Sequence, residues 1–298
     1  MGDQKYISNQ IKPISLERIN DEFASLQEIG EYAHTKSSVC RIGNDIVDYF
    51  TFTERLCTKG KYNTNYYEFV ENIEEFKKKK FIQTMLQYYA EVKNKNKTKN
   101  QYVVYKEVYN ICISAINIFR PLMSMEIYTR YKPTSILDFT CGWGGRLVGA
   151  CALNIPNYIG IDINHHLQTP YQEMTTFLKK RSTTNIDIYM QDAVKMDYSK
   201  FTYDMVFTSP PYFFLEKYSN NETYHQSKEE MVKTFYIPLF SNTFAHLQKN
   251  GHYCLNVNIE IYETVCIPLL GEANEIISLK KSKRQNKYTE YIYVWKKM

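Results

Sequence analysis

Ser209-Pro210-Pro211-Tyr212 follows the apolar run 203–208, and its residue types suit one defined chemistry. A hydroxyl, two rigid prolines and an aromatic ring at a strand's carboxyl end make a stiff corner. Such a corner can hold an exocyclic amine together with the flat ring that carries it. The chemistry it fits is methylation of an amino group.

Three further positions belong with this corner. Asp138-Phe139-Thr140-Cys141-Gly142-Trp143-Gly144-Gly145-Arg146 lies where a short strand turns into a helix. Glycines there let a ligand approach the backbone, and the helix amino terminus offers unpaired N–H groups. This turn alone would also fit a dinucleotide. Asp162, at the end of the next strand, is placed to accept hydrogen bonds from ribose hydroxyls, and Asp192, after the third, from an adenine amino group. Each acid alone reads as a helix cap or a surface charge. All four features fall at the carboxyl ends of successive strands, where open sheets bind ligands. No Pro-Cys dipeptide occurs, which removes the nucleophile needed for methylation at cytosine C5, and Cys141 reads as a packing residue.

The elements that must position these residues alternate. Apolar runs at 135–139, 158–162, 186–190, 203–208 and 252–257 predict five strands, with helices at 145–153, 172–180 and 229–248. This spacing implies parallel crossovers in a doubly wound sheet. Runs 276–279 and 288–295, joined by a short basic loop, predict an antiparallel hairpin at the sheet's edge. Ahead of the sheet, helical patterns are expected at 104–119 and 123–131. Residues 1–105 read as a mainly helical amino-terminal region and 106–298 as the α/β domain.

Composition sets the bounds. With 44% hydrophobic and 23% charged residues the 298-residue chain is globular. No apolar run approaches the roughly 20 residues of a membrane span, and no signal peptide is visible. Seven scattered cysteines with no CxxC pair predict a reducing, intracellular location and no metal. The net charge of +5 is modest, so placement matters more than magnitude. Lysine runs at 77–80 and 93–99 read as solvated faces that could touch phosphate.

The chain resembles the class I S-adenosylmethionine-dependent methyltransferases, and among them the DNA amino-methyltransferases that modify cytosine N4 or adenine N6. The resemblance covers about 120–297, and the CGWGGR form of the turn looks like that of phage and large-DNA-virus enzymes. It implies a Rossmann-like, mostly parallel sheet with an antiparallel carboxyl-terminal hairpin, and S-adenosylmethionine as cofactor. It places Asp138, Thr140, Cys141, Gly142 and Gly144, Asp162 with Ile163, and Asp192 with Ala193 around that cofactor. Thr140 stands where the family usually has an aromatic residue, so Phe139 or Trp143 would have to shield the methionine end. Phe119-Arg120-Pro121 is a weaker match to an additional motif on that side. Ser209, Pro210, Pro211 and Tyr212 would be catalytic, with Ser209 and the Pro210 carbonyl accepting from the amine and Tyr212 stacking on a flipped base. Phe213, Phe214, Lys281, Lys283 and Arg284 would contact DNA.

Serine before the proline pair tilts this resemblance toward cytosine N4, although both amines present the same donors. RNA guanine-N2 and protein glutamine methyltransferases have related corners, usually with Asn or Asp at the Ser209 position, and remain an alternative. An inactive, nucleic-acid-binding relative is a further alternative, against which the intact motif set argues.

Overall fold

The structure, a computed structural model, describes residues 2–36, 40–213, 227–279 and 290–298. Seven strands form one sheet: β1 (Ser135–Asp138), β2 (Asn157–Asp162), β3 (Asn185–Met190), β4 (Met205–Thr208), β5 (His252–Val257), β6 (Glu275–Ser278) and β7 (Tyr291–Lys296). Their spatial order is β3-β2-β1-β4-β5-β7-β6. The pairs among β1 to β5 are parallel, and β7 runs antiparallel to both β5 and β6. This is the expected doubly wound sheet with its hairpin, β7 being slotted inside β6.

Side chains alternate across the sheet because successive Cβ atoms point to opposite faces. Ile136, Tyr158, Met205, Phe207, Cys254 and Val294 enter one buried layer. Leu137, Ile159, Val206, Tyr253, Leu255 and Trp295 enter the other. Helices Pro121–Tyr131, Gly145–Ala152 and Gln168–Lys179 contribute to the first layer.

Helices Leu16–Ile29 and Asn44–Arg55 share that layer through Ile19, Phe23, Leu26, Ile46 and Val47. The sheet's core therefore reaches well into the amino-terminal part of the chain. A separate core, centred on Tyr66, Phe69, Ile82, Val108 and Tyr109, is built from residues 56–113.

Two expectations need correction. The helix expected over 104–119 is Gln101–Cys112. Beyond it the chain carries the β-branched residues Ile113, Ile116 and Ile118, Arg55 binds the Ile116 carbonyl at 2.9 Å, and Pro121 holds Arg120 in an extended conformation. A helical run after β5, from Ile259 to Leu270, was not expected at all. Asn258 caps it, but Pro268 interrupts the pattern, and the chain widens into an i→i+5 turn at Tyr262–Cys266 just ahead of that proline. The same device, Val232–Tyr236, precedes Pro238 in the other helical run on this face. A wider turn relieves the clash and the lost hydrogen bond that proline imposes. Among the described residues no helix is long and apolar enough to cross a membrane.

Candidate active site

The chain passes from β1 outward through β2 to β3 and returns on the other side of β1 as β4. The carboxyl ends of β1 and β4 therefore flank the point where strand order reverses. The glycine turn follows β1 and the Ser-Pro-Pro-Tyr corner follows β4, so topology brings them side by side.

Asp138 anchors the turn from below. It is fully buried, and its carboxylate accepts from Arg146 Nε at 2.7 Å, Tyr158 Oη at 2.6 Å and Thr208 Oγ1 at 2.8 Å. Arg146 also donates to the Thr140 carbonyl at 2.6 Å, and the Thr140 and Thr208 hydroxyls lie 2.6 Å apart. Asp138, expected among the cofactor contacts, is thus enclosed by protein partners. It ties the turn to the last residue of β4 rather than facing a ligand. The Arg146 guanidinium also lies 5.3 Å from the Phe119 ring centre. The Phe119 carbonyl presses on Gly145, which places Phe119-Arg120-Pro121 against the turn.

Gly142 and Gly144 have φ of +56° and +85°, the left-handed region that favours glycine. A Cβ on Gly142 would meet nothing nearer than the Thr140 carbonyl at 3.8 Å, so this residue borders open space. A Cβ on Gly144 would strike Met174, so that glycine serves close packing. Cys141 is buried, its N–H bonds the Ile161 carbonyl, and burial pushes its thiol well above the usual range. Phe139 and Trp143 are both buried, one in each core layer.

Asp162 closes the turn from the β2 side. Its carboxylate accepts from Gly142 N at 2.7 Å and Asn164 N at 2.9 Å, and each oxygen keeps acceptor capacity for a further donor. Burial pushes the carboxyl up to about 6, against the pull of those two N–H groups. Ile163 follows it, half-buried. Asp192 caps the short turn Ala193–Lys195 through Val194 N at 3.0 Å and lies 3.6 Å from Lys195 Nζ. Ala193 is buried beside it.

The corner is organised by a residue that no sequence motif announced. The register pairing Thr208 with Leu255 brings Ser209 abreast of Asn256. The Asn256 amide nitrogen donates to the Tyr291 carbonyl at 2.9 Å, which turns its oxygen toward the corner. That oxygen accepts from Ser209 Oγ at 3.1 Å and Tyr212 Oη at 3.0 Å. The Tyr212 hydroxyl also reaches the Asn256 backbone carbonyl at 3.1 Å, so both protons are directed into this one residue and both hydroxyl oxygens retain lone pairs as acceptors. Tyr236 fixes the far side: its hydroxyl donates to the Pro211 carbonyl and accepts from Phe213 N at 3.2 Å.

That anchor overturns one expectation. Phe213, expected to touch nucleic acid, is turned inward at φ +48° and packs in the second core layer against the Tyr236 ring. Phe214, Lys281, Lys283 and Arg284 lie outside the described residues.

The amino-terminal helices reach the same end of the sheet. Glu54 accepts from the Asn164 side chain at 3.1 Å, two residues past Asp162. Among the described residues no cluster of His, Cys, Asp or Glu could hold a metal ion.

The family model described as RNA cap guanine-N2 methyltransferase matches residues 133–298, which include the glycine turn, Asp162, Asp192 and the Ser209 corner but not Glu54 or Phe119. No curated protein sequence matches the chain. Among solved structures it is similar to TrmN from Thermus thermophilus, with 15% identity and a TM-score of 0.45 over 60% of this chain and 49% of that one. The chain thus spans about half the length of TrmN. It is also similar to an rRNA methylase from Streptococcus thermophilus, at 10% identity and TM-score 0.39 over 61% and 100% of the two chains. A third is an S-adenosylmethionine-dependent methyltransferase from Clostridium acetobutylicum ATCC 824, at 11%, 0.35, 67% and 82%.

S-adenosylmethionine is the cofactor that goes with this methyltransferase family. The open space above Gly142, beside the Asp162 carboxylate, fits it. The seven-stranded sheet and a family match over more than half its length make this chain a member of the RNA cap guanine-N2 methyltransferases, a class I S-adenosylmethionine-dependent family.

Proposed function

We propose that this protein methylates the exocyclic N2 amine of a guanine in an RNA cap. The observation that carries this reading is the family match, which spans the glycine turn, Asp162 and the Ser209 corner together. The expected DNA specificity for cytosine N4 or adenine N6 gives way to the alternative, RNA. The corner is compatible with either, because all three targets are planar amines with two N–H donors.

S-adenosylmethionine, when bound, supplies an electrophilic methyl group on a sulfonium. Gly142 and Asp162 would hold it, Asp162 accepting from ribose hydroxyls, while Asp192 and Ala193 border the adenine. The guanine lone pair is delocalised into the ring, so the amine must be drawn toward tetrahedral geometry. Ser209 Oγ and the Pro210 carbonyl would accept the two amine hydrogens, and the Tyr212 ring, tethered through its hydroxyl to Asn256, would stack on the base. These acceptors are preorganised, and orientation supplies much of the rate. We assign methyl transfer to the 106–298 domain and substrate reading to residues 1–105.

The test is methyl transfer to capped RNA, uncapped RNA and DNA, followed by mass spectrometry of the nucleosides. N2-methylguanosine from capped RNA is expected. N4-methylcytosine or N6-methyladenine from DNA, with nothing in RNA, would overturn the assignment.

A further inference from the structure

Outside the site, the helical unit 56–113 carries an exposed pair of aromatic rings flanked by lysines. Tyr62 and Phe81 are 44% and 40% exposed, and their ring centres lie 6.4 Å apart with planes inclined by 29°. Phe76 braces the Tyr62 ring edge-on. Lys61 Nζ lies 5.1 Å from the Tyr62 ring centre and 5.4 Å from that of Phe81, and Lys79 Nζ lies 4.6 Å from that of Tyr62. We propose that this surface is a second nucleic-acid site, a stacking platform for unpaired bases of the RNA that follows the cap.

Three observations favour this over an ordinary solvated face. Tyr62 and Asn63 occupy left-handed backbone conformations, φ +64° and +52°, which a bulky side chain rarely adopts. The tight turn closed by Asn63 N on the Gly60 carbonyl thereby presents a large apolar ring to water. Second, within the lysine run 77–80, Lys77 and Lys78 pair with Glu74 and Glu75 one turn earlier, whereas Lys79 lies over the Tyr62 ring. Positive charge is thus gathered where the rings are. Aromatic faces with adjacent cations recognise single strands, because every base has a π-face and every linkage a phosphate.

The third is location. The Glu54 to Asn164 hydrogen bond joins the preceding helix to the loop after β2. Gly60 abuts Ser114, and the same segment runs on to press Phe119 on Gly145 at the glycine turn. Both ends of the helical unit are therefore joined to the carboxyl end of the sheet, on which the proposed site lies.

This proposal rests on the RNA reading above, and its test separates the two. The full-length protein and its Tyr62→Ala, Phe81→Ala and Lys61→Glu/Lys79→Glu variants would be compared by fluorescence anisotropy on an uncapped single-stranded RNA of about 12 nucleotides. KM would be measured for that RNA bearing a cap and for a capped dinucleotide. Each alanine variant is expected to weaken RNA binding and raise KM for the long substrate roughly tenfold. The dinucleotide KM should not change, and Tyr62→Phe should behave as wild type. The charge-reversed variant should also flatten the salt dependence of binding. Unchanged binding in the alanine variants, or equal losses on both capped substrates, would overturn the platform. Failure of the wild type to methylate either capped substrate would overturn the cap reading, and anisotropy would still decide the platform.

Discussion

Asn256, in β5, holds Ser209, just past β4, through a hydrogen bond of 3.1 Å from the serine hydroxyl to the amide oxygen. Asn256 is buried, and its amide nitrogen is committed to the Tyr291 carbonyl. Its orientation is therefore fixed before any substrate arrives. With its proton given to Asn256, the serine oxygen is left as an acceptor, 3.4 Å from the Tyr212 hydroxyl.

Asn256→Ala should consequently damage turnover without damaging cofactor binding. Losing the amide oxygen strips Ser209 of its buried acceptor while Tyr212 keeps the backbone carbonyl of residue 256, a change that costs about 1–3 kcal/mol. If that cost is felt at the reacting geometry, kcat falls roughly 10- to 100-fold. Steady-state kinetics beside calorimetric titration of the cofactor would show a lower kcat at unchanged Kd. A parallel loss of cofactor affinity would mean that Asn256 supports the whole site rather than the corner.

The Asp138–Arg146 pair predicts a loss of stability. Both side chains are buried, at 0% and 5% exposure. Burial alone would lower the arginine pKa, but the carboxylate against it raises it above the ordinary value. Arg146→Leu strands a buried carboxylate and should cost about 3–5 kcal/mol, read as a lower urea midpoint. Asp138→Asn/Arg146→Leu should recover much of this, because no buried charge remains and the amide oxygen keeps one of the two hydroxyl bonds, from Tyr158 or from Thr208, which reach different carboxylate oxygens in the wild type. If the double variant is no more stable than the single, the stranded charge is not the cause.

Much of this arrangement is legible in the sequence, and the parts that are not have physical reasons. Alternation at Ile136 and Leu137, or at Met205, Val206 and Phe207, reports the two buried faces directly. The glycine turn and the Ser-Pro-Pro-Tyr corner are local, so they can be read locally. Asn256 is different: nothing in His252–Val257 marks it, and its role exists only once β4 and β5 are paired in register. Phe213 reads as an exposed aromatic until Tyr236, 23 residues later, pins its backbone inward. The polar stretches of residues 16–55 conceal helices whose apolar stripes complete the sheet's own core. The target amine is hidden for another reason, since cytosine N4, adenine N6 and guanine N2 offer the corner the same donors.

Asp162, in its proposed role, should make cofactor binding depend on pH. Its carboxyl is raised to about 6 by burial, while an unfolded aspartate titrates near roughly 3.9. The free protein therefore gains stability from this group when it is protonated, and loses that contribution as pH rises from about 4 to about 6. Under the proposed contact, in which ribose hydroxyls donate to the carboxylate, cofactor binding has the opposite sign. Affinity should rise with pH up to about 6 and level off above it. In Asp162→Asn this segment of the profile should be flat. Calorimetric titrations between pH 5 and 8 would check it, and an unchanged slope in the variant would assign the titration to another group.

Alanine substitution at two neighbouring glycines should separate cofactor binding from folding. At Gly145 an added Cβ would sit 1.8 Å from the Phe119 carbonyl oxygen, a backbone atom that can yield only if segment 113–120 moves. Gly145→Ala should therefore behave as overpacking, costing about 1–3 kcal/mol in denaturant melts. At Gly142 the added Cβ meets only open space, so its folding cost is the left-handed backbone alone, about 1–2 kcal/mol. That open space is where the cofactor is proposed to bind. Gly142→Ala should thus lose more cofactor affinity than Gly145→Ala for an equal or smaller loss of stability. The reverse order would show that the space beside Gly142 is not the binding cleft.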